Sequence, residues 1–206
     1  MLSNNLLAFA LTLSLALIWL RLNDFAAQRG WVDSRLSRKI IHTGTGPIYV
    51  LCWLLFTQSA SSRYLAAIVP LAITAQFVLV GLGVVRDEAA VKAMSRSGDR
   101  REILHGPLYY GIVFVALTLL YWLESPIGMV ALIVMSGGDG LADIVGRRYG
   151  VHMLPWSKRK TWEGSLAMFG GGWIFASLVL AVYLASGVFE GRYIDYFPAI
   201  AVIAGK

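Results

Sequence analysis

Two aspartates four residues apart, Asp139 and Asp143, follow an uninterrupted apolar run in the segment Ser136-Gly-Gly-Asp-Gly-Leu-Ala-Asp-Ile-Val-Gly-Arg-Arg-Tyr-Gly150. Residues at i and i+4 of a helix lie on one face. An acid in or at the edge of a membrane segment costs about 2.5–3.5 kcal/mol on insertion scales, so a pair on one face calls for a compensating partner such as a metal ion. Gly146 and Gly150 continue the stripe at i+7 and i+11, where the missing side chains let a ligand or another backbone approach closely. Gly137 and Gly138, just before the acids, predict a break in the helix whose freed amides line a polar cavity, because unsatisfied backbone is not tolerated in lipid. Carboxylates with room for water are the usual protein ligands of Mg2+, an ion that bridges to substrate phosphates.

A site for those phosphates follows in Lys158-Arg-Lys160-Thr-Trp-Glu-Gly-Ser165, a basic cluster running into the next apolar run. The junction predicts a helix N-terminus whose free amides and positive dipole end, with the Thr161 and Ser165 hydroxyls and the Lys160 ammonium, suit an anion. Acids for a metal, a basic helix start for phosphate and apolar helices around both are the parts that phosphoryl or nucleotidyl transfer to a lipid needs. A competing structural reading pairs Asp139 and Asp143 with Arg147, Arg148 or the loop lysines in a salt-bridge cluster. His42, one turn after Arg38 and Lys39, reads as a phosphate contact or proton carrier, or equally as a structural histidine. Glu163 fits a general base, a metal ligand, or an acid favoured by the helix dipole alone. His105 reads as an interfacial residue, and His152 is assigned no partner and no role. Cys52 is the only cysteine and reads as a core filler, which excludes disulfides and a cysteine-based metal site.

The elements that must position these groups are membrane helices. Of the 206 residues, 57% are hydrophobic and only 15% charged, too apolar for the surface of a soluble domain of this size. Apolar runs at about 6–22, 45–56, 64–85, 107–123, 127–145, 166–185 and, incompletely, 197–204 predict six to seven transmembrane helices in one all-α polytopic domain over residues 1–206. The net charge of +6 does not indicate nucleic acid, because all but Arg63, Arg192 and Lys206 of the 18 basic residues fall in alternate loops. They follow the first run (Arg21, Arg29, Arg35, Arg38, Lys39), the third (Arg86, Lys92, Arg96, Arg100, Arg101) and the fifth (Arg147, Arg148, Lys158, Arg159, Lys160). The positive-inside rule places those loops in the cytoplasm or stroma and the N-terminus outside. Neither a signal peptide nor a transit peptide is recognisable, so the first run reads as a retained helix in a bacterial (including cyanobacterial) inner or thylakoid membrane, or in a plastid membrane. The last apolar run supplies about 12 Å of helix against a hydrocarbon core of about 30 Å, which predicts a further C-terminal segment. Trp and Tyr near the ends of the runs read as an interfacial belt. No pattern sets an oligomeric state.

With these residues in place, the chain resembles the CTP-dependent prenol kinases, closest to the phytol and farnesol kinase branch, with dolichol kinase and phosphatidate cytidylyltransferase more distant. The resemblance covers most of the chain. It rests on Arg38-Lys-Ile-Ile-His42, on Met94-Ser-Arg96, on Arg101-Glu-Ile-Leu-His-Gly-Pro-Leu-Tyr-Tyr110, and on Glu124-Ser-Pro-Ile-Gly-Met129. Its most specific parts are Gly138-Asp-Gly-x-Ala-Asp143-x-x-Gly146-Arg147 and Lys160-Thr161-x-x-Gly164-Ser165. The resemblance implies transfer of the γ-phosphate of CTP, with Mg2+, to the hydroxyl of an isoprenoid alcohol entering from the bilayer, in salvage of phytol or a related prenol toward tocopherol, phylloquinone or chlorophyll side chains. On that reading Asp139 and Asp143 hold the metal and Lys160 grips the transferring group. Gly138, Gly146, Arg147, Lys158, Thr161, Gly164 and Ser165, with Arg38, Lys39 and His42, bind the nucleotide. It also implies a continuation beyond Lys206 that carries an acid and an Asp-Asn pair. Cytidylyl transfer to a phosphorylated lipid and cation- or proton-coupled transport are the rival functions.

Overall fold

A computed structural model describes residues 2–95 and 97–204; Arg96 and Lys206, both counted among the basic residues, lie outside them. The chain divides into two compact units, residues Met1–Ile41 with Leu55–Trp122 and residues His42–Leu54 with Leu123–Lys206.

The first unit contains α1 (Leu2–Gln28), the basic first half of α2 (Ser34–Cys52), α3 (Ser62–Leu82), the short α4 (Glu88–Met94), a 3-10 turn at Arg100–Leu104 and α5 (Gly106–Tyr121). Ala27, Ile41, Val80, Ala93, Met94 and Ile103 close its core. Asp87 caps α4 by accepting from the Ala90 amide at 3.0 Å, and its carboxylate also receives Arg21 at 3.1 Å. At another point Asn5 ties α1 to the start of α3, donating to Ser62 Oγ at 2.9 Å while its carbonyl accepts from the Thr57 amide at 2.9 Å.

The second unit takes the rest of α2 and adds α6 (Pro126–Ile133), a π-helical turn (Val134–Gly138), α7 (Asp139–Tyr149), an antiparallel hairpin of β1 (Met153–Leu154) and β2 (Ser157–Thr161), α8 (Trp162–Ala185) and α9 (Tyr193–Ala204). Ser125 starts α6 by accepting from the Ile127 amide at 3.3 Å, with Pro126 at the first helical position, where its missing N–H is not needed. The Tyr183 hydroxyl on α8 donates to the Val50 carbonyl of α2 at 2.5 Å, so a buried polar group is satisfied between two helices.

Among the described residues, five helical stretches are long and apolar enough to cross a membrane: Asn4–Gln28, Ser62–Leu82, Arg100–Tyr121, Pro126–Tyr149 and Trp162–Ala185. The chain is therefore an all-α polytopic membrane protein. The expected count of six to seven differs through α2, whose first half is charged, and α9, which has 12 residues. Two local expectations are corrected. The helix does not break at Gly137 and Gly138 but runs through them as a π turn, with both glycines buried. Absence of side chains there admits Phe175 and the Met168 carbonyl of α8, so packing rather than an opened backbone uses the two glycines. The basic cluster, read as a loop, forms β2 of a hairpin.

Candidate functional site

The cleft that emerges lies within the second unit, between α7, β2 and the start of α8. Its lining is Asp139, Ala142, Asp143, Gly146 and Arg147 from α7, Arg159, Lys160 and Thr161 from β2, and Gly164, Ser165 and Met168 from α8, around a volume of about 320 Å³. The α7 wall thus carries both acids together with Arg147, and the β2 wall opposite carries only cations, Arg159 and Lys160.

The walls are set close by glycine. A side-chain carbon on Gly164 would lie 3.2 Å from both the Ala142 carbonyl oxygen and the Gly146 α-carbon, so α7 and α8 meet backbone to backbone at that level. Gly138 packs one step further in, where an added carbon would stand 3.0 Å from the Met168 carbonyl oxygen. The small-residue stripe is therefore filled by α8 at Gly146 and by the Thr161 side chain at Gly150, and the carboxylates remain at its open margin. The Asp139 side chain is 51% exposed and that of Asp143 22%.

Each acid has a cationic or protonatable neighbour. Arg147, one turn on, donates from Nε to Asp143 Oδ1 at 2.8 Å, a pairing that the structural reading of the sequence anticipated. His42 Nε2 lies 3.4 Å from Asp139 Oδ2 and 3.1 Å from the Met135 carbonyl. A carbonyl only accepts, so this contact requires the proton on Nε2. The Nε2 proton is therefore directed to the Met135 carbonyl, and His42 lies beside Asp139 at ion-pair distance, one turn beyond Arg38 and Lys39 on α2.

Opposite the acids, Thr161 is both the last residue of β2 and the N-cap of α8, its hydroxyl accepting from the Gly164 amide at 3.2 Å. A threonine at this position satisfies one of the orphan donors of the helix start. The expected cradle of free amides and hydroxyls is narrower than the sequence suggests. The Trp162 amide is bonded to the His152 carbonyl at 2.9 Å, and Ser165 donates its hydroxyl to the Thr161 carbonyl at 3.1 Å. Attraction for an anion here therefore comes mainly from Lys160, Arg159 and the positive end of a 24-residue helix.

Of the residues singled out from the sequence, Asp139, Asp143, Gly146, Arg147, Lys160, Thr161, Gly164 and Ser165 come together around the cleft, with His42 against Asp139. Gly138 is buried behind the wall, Lys158 is on β2 without lining the cleft, and Arg38 and Lys39 fall in the first unit. Arg159 and Met168 line the cleft without having been proposed as binding residues. His152, given no role above, is bonded to Glu163 at 2.6 Å; their separation of 11 positions has no local signature. Among the described residues, no three His, Cys, Asp or Glu side chains converge as a ready metal site.

Fold and cleft together define a polytopic helical membrane protein with a paired-carboxylate wall facing a basic helix start. By sequence, the chain is a homologue of the proteins named phytol kinase and farnesol kinase. It is 46% identical over 160 residues to a probable chloroplastic phytol kinase of Triticum aestivum, covering 78% of this chain and 53% of that protein. Identity is 39% over 184 residues to a probable chloroplastic phytol kinase of Zea mays (89% and 61%) and 40% over 179 residues to the chloroplastic farnesol kinase of Arabidopsis thaliana (87% and 58%). The chain thus spans between 53% and 61% of the lengths of these relatives. Neither a family model nor a solved structure matches it.

Proposed function

We propose that this cleft is the phosphoryl-transfer site of a prenol kinase that moves the γ-phosphate of CTP to the hydroxyl of phytol, geranylgeraniol or farnesol. The observation that carries the reading is the opposition of charge across the cleft, with Asp139 and Asp143 on α7 facing Lys160, Arg159 and the start of α8. A magnesium–nucleotide complex has the complementary arrangement, a cation bound to a polyanion. The names of the relatives supply the alcohol class, and CTP and Mg2+ come from the resemblance of the motifs.

The residues suit Mg2+ in its substrate-bridged mode. Two carboxylates are too few for an all-protein cage, but Mg2+ is commonly held by one or two carboxylates plus substrate phosphates and water. Asp139 and Asp143 would supply those ligands. When bound, the ion would neutralise charge on the phosphates in the transition state. Lys160 and Arg159 hold the phosphates from the other side, and the helix dipole favours their negative charge. In the reaction the bond between the γ-phosphorus and the β,γ-bridging oxygen breaks and a bond to the alcohol oxygen forms, giving a prenyl monophosphate and CDP and releasing the hydroxyl proton. Phosphoryl transfer depends chiefly on positioning and charge, so this inventory meets its main requirements. Ala142 and Met168 give the cleft an apolar component next to membrane-spanning helices, which suits an alcohol arriving from the bilayer. The basic loops, and with them the nucleotide, lie on the cytoplasmic or stromal side in this proposal.

The test incubates membranes holding the protein, expressed at the full length of its gene, with Mg2+, γ-labelled CTP and a panel of phytol, geranylgeraniol, farnesol, dolichol, diacylglycerol and phosphatidate. Label in one prenyl phosphate is the expected result and names the substrate. A labelled CDP-lipid from α-labelled CTP, with no prenyl phosphate, would overturn the kinase reading in favour of cytidylyl transfer. Silence with both labels would overturn it in favour of a non-enzymatic membrane protein.

A further inference from the structure

His152 and Glu163 close the base of the β-hairpin twice over. The Glu163 carboxylate accepts from His152 Nδ1 at 2.6 Å and from the His152 amide, with each oxygen 3.3 Å away. In return, the His152 carbonyl accepts from the Trp162 amide at 2.9 Å, one step beyond the pairing of Met153 with Thr161. Glu163 is in the first turn of α8, so a helix that spans the membrane is fastened to the strand leaving α7.

The ladder of the hairpin is weak by itself, although Trp156 in its turn packs edge-on against Trp162 of α8 with ring centroids 6.0 Å apart. β1 has two residues, and the ladder pairs only Met153 with Thr161 and Leu154 with Ser157, with an irregularity between them. A two-stranded hairpin is marginal in water even when its register is regular. Its second strand, Ser157-Lys-Arg-Lys-Thr161, is polar and mostly exposed, so packing contributes little to holding it. Yet this strand carries Arg159 and Lys160, the cationic wall of the cleft.

We infer that His152 is a positioning residue: its clasp on Glu163 holds Lys160 and Arg159 over the cleft for the phosphates of the nucleotide. The inference rests on the kinase reading. It assigns His152 no contact with substrate, and its side chain is 77% exposed. Glu163, which the sequence left open among base, metal ligand and dipole partner, takes the role of anchor.

Two measurements on the full-length protein in nanodiscs separate this role from simple stability and from the kinase reading itself. Hydrogen exchange at the amides of residues 157–161 reads the clasp directly: His152→Ala should accelerate it, and His152→Asn, which keeps an N–H donor, should restore much of the protection. Kinetics read the consequence: His152→Ala should raise the KM for CTP about three- to tenfold, with the KM for the prenol unmoved and kcat little changed. In the Lys160→Ala background the same substitution should add at most about twofold, because the lysine it positions is already gone. Unchanged exchange, an equal rise in both KM values, or full additivity with Lys160→Ala would each overturn the positioning role. A wild-type protein that makes no prenyl phosphate overturns the kinase reading and the positioning role with it, whereas active wild type with an unaffected His152→Ala overturns the positioning role alone.

Discussion

Gly164→Ala tests whether the close contact of α7 with α8 sets the geometry of the cleft. The added carbon would stand 3.2 Å from the Gly146 α-carbon, the Ala142 carbonyl oxygen and the Thr161 hydroxyl oxygen. Carbon–carbon contacts are optimal at about 3.5–4.0 Å, so the carbon pair is about 0.3–0.8 Å too close. Two of the three neighbours are backbone atoms, which move only if the helices part. Overpacking of this kind costs about 1–3 kcal/mol, partly offset by up to ~1 kcal/mol from replacing glycine with alanine in a helix. A net loss of about 0–3 kcal/mol lowers Tm by up to about 10 °C for a chain of this size. Activity is more sensitive, because catalytic groups must be held within about 0.5 Å and a misplacement of about 1 Å can cost a hundredfold. A separation of a few tenths of an ångström between Asp143 and the Lys160–Thr161 wall should therefore lower kcat/KM about tenfold. Gly170→Ala, on the same helix, is the control: nothing lies within 4 Å of the added carbon. The assay is labelled prenyl phosphate formed per mole of folded protein in membranes, beside a heating series followed by size exclusion. If Gly164→Ala keeps activity within about twofold of Gly170→Ala, the backbone contact does not set the cleft, and the reasoning from glycine to geometry is wrong.

Three further outcomes follow from the same cleft. Asp139→Asn and Asp143→Asn should each lower prenyl phosphate formation by at least about a hundredfold while membrane insertion is retained, since each removes charge aimed at the metal–nucleotide complex; near-wild-type product from both would remove them from the site. Lys160→Ala should raise the KM for CTP about tenfold through loss of a charge-assisted phosphate contact, and an unchanged KM would refute its role. Thr161→Val keeps shape but loses the cap on Gly164, so it should destabilise the start of α8 by about 1 kcal/mol and speed exchange there, with Thr161→Ser close to wild type; equal behaviour of the two would show that the hydroxyl does not cap.

The parts of the site that lie close in sequence were legible because their physics is local. The spacing of Asp139 and Asp143 fixes a shared face, and the polar-to-apolar switch at Thr161 marks the helix start that its hydroxyl caps. Gly146 and Gly164 advertised close approach without saying to what, since smallness is a property of one residue and contact a property of two. The hairpin was hidden because β1 is two residues long and β2 lacks alternating apolar positions. His152 meets Glu163 only because that hairpin forms, so its role became visible after the turn did. Gly137 and Gly138 misled for a related reason: glycine weakens a helix, but burial against α8 keeps this one continuous, at the modest cost of a π turn.

Asp143 shows where sequence logic stops. The cost of a charge at membrane depth demands a cation near it but does not specify which. The i, i+4 spacing that joins Asp139 to Asp143 also joins Asp143 to Arg147, and the arginine does pair with it at 2.8 Å. Spacing alone therefore cannot choose between a metal-directed acid and one committed to a structural ion pair. Removing the arginine can. If the pair is structural, Arg147→Ala should lower activity in proportion to folded protein and as severely as Asp143→Asn. If Asp143 serves the metal–nucleotide complex, Arg147→Ala should leave measurable turnover, with a changed dependence on Mg2+ concentration, whereas Asp143→Asn leaves almost none. Equal losses in the two variants, with no shift in the Mg2+ titration, would return Asp143 to the structural reading and leave Asp139 as the sole acid of the site.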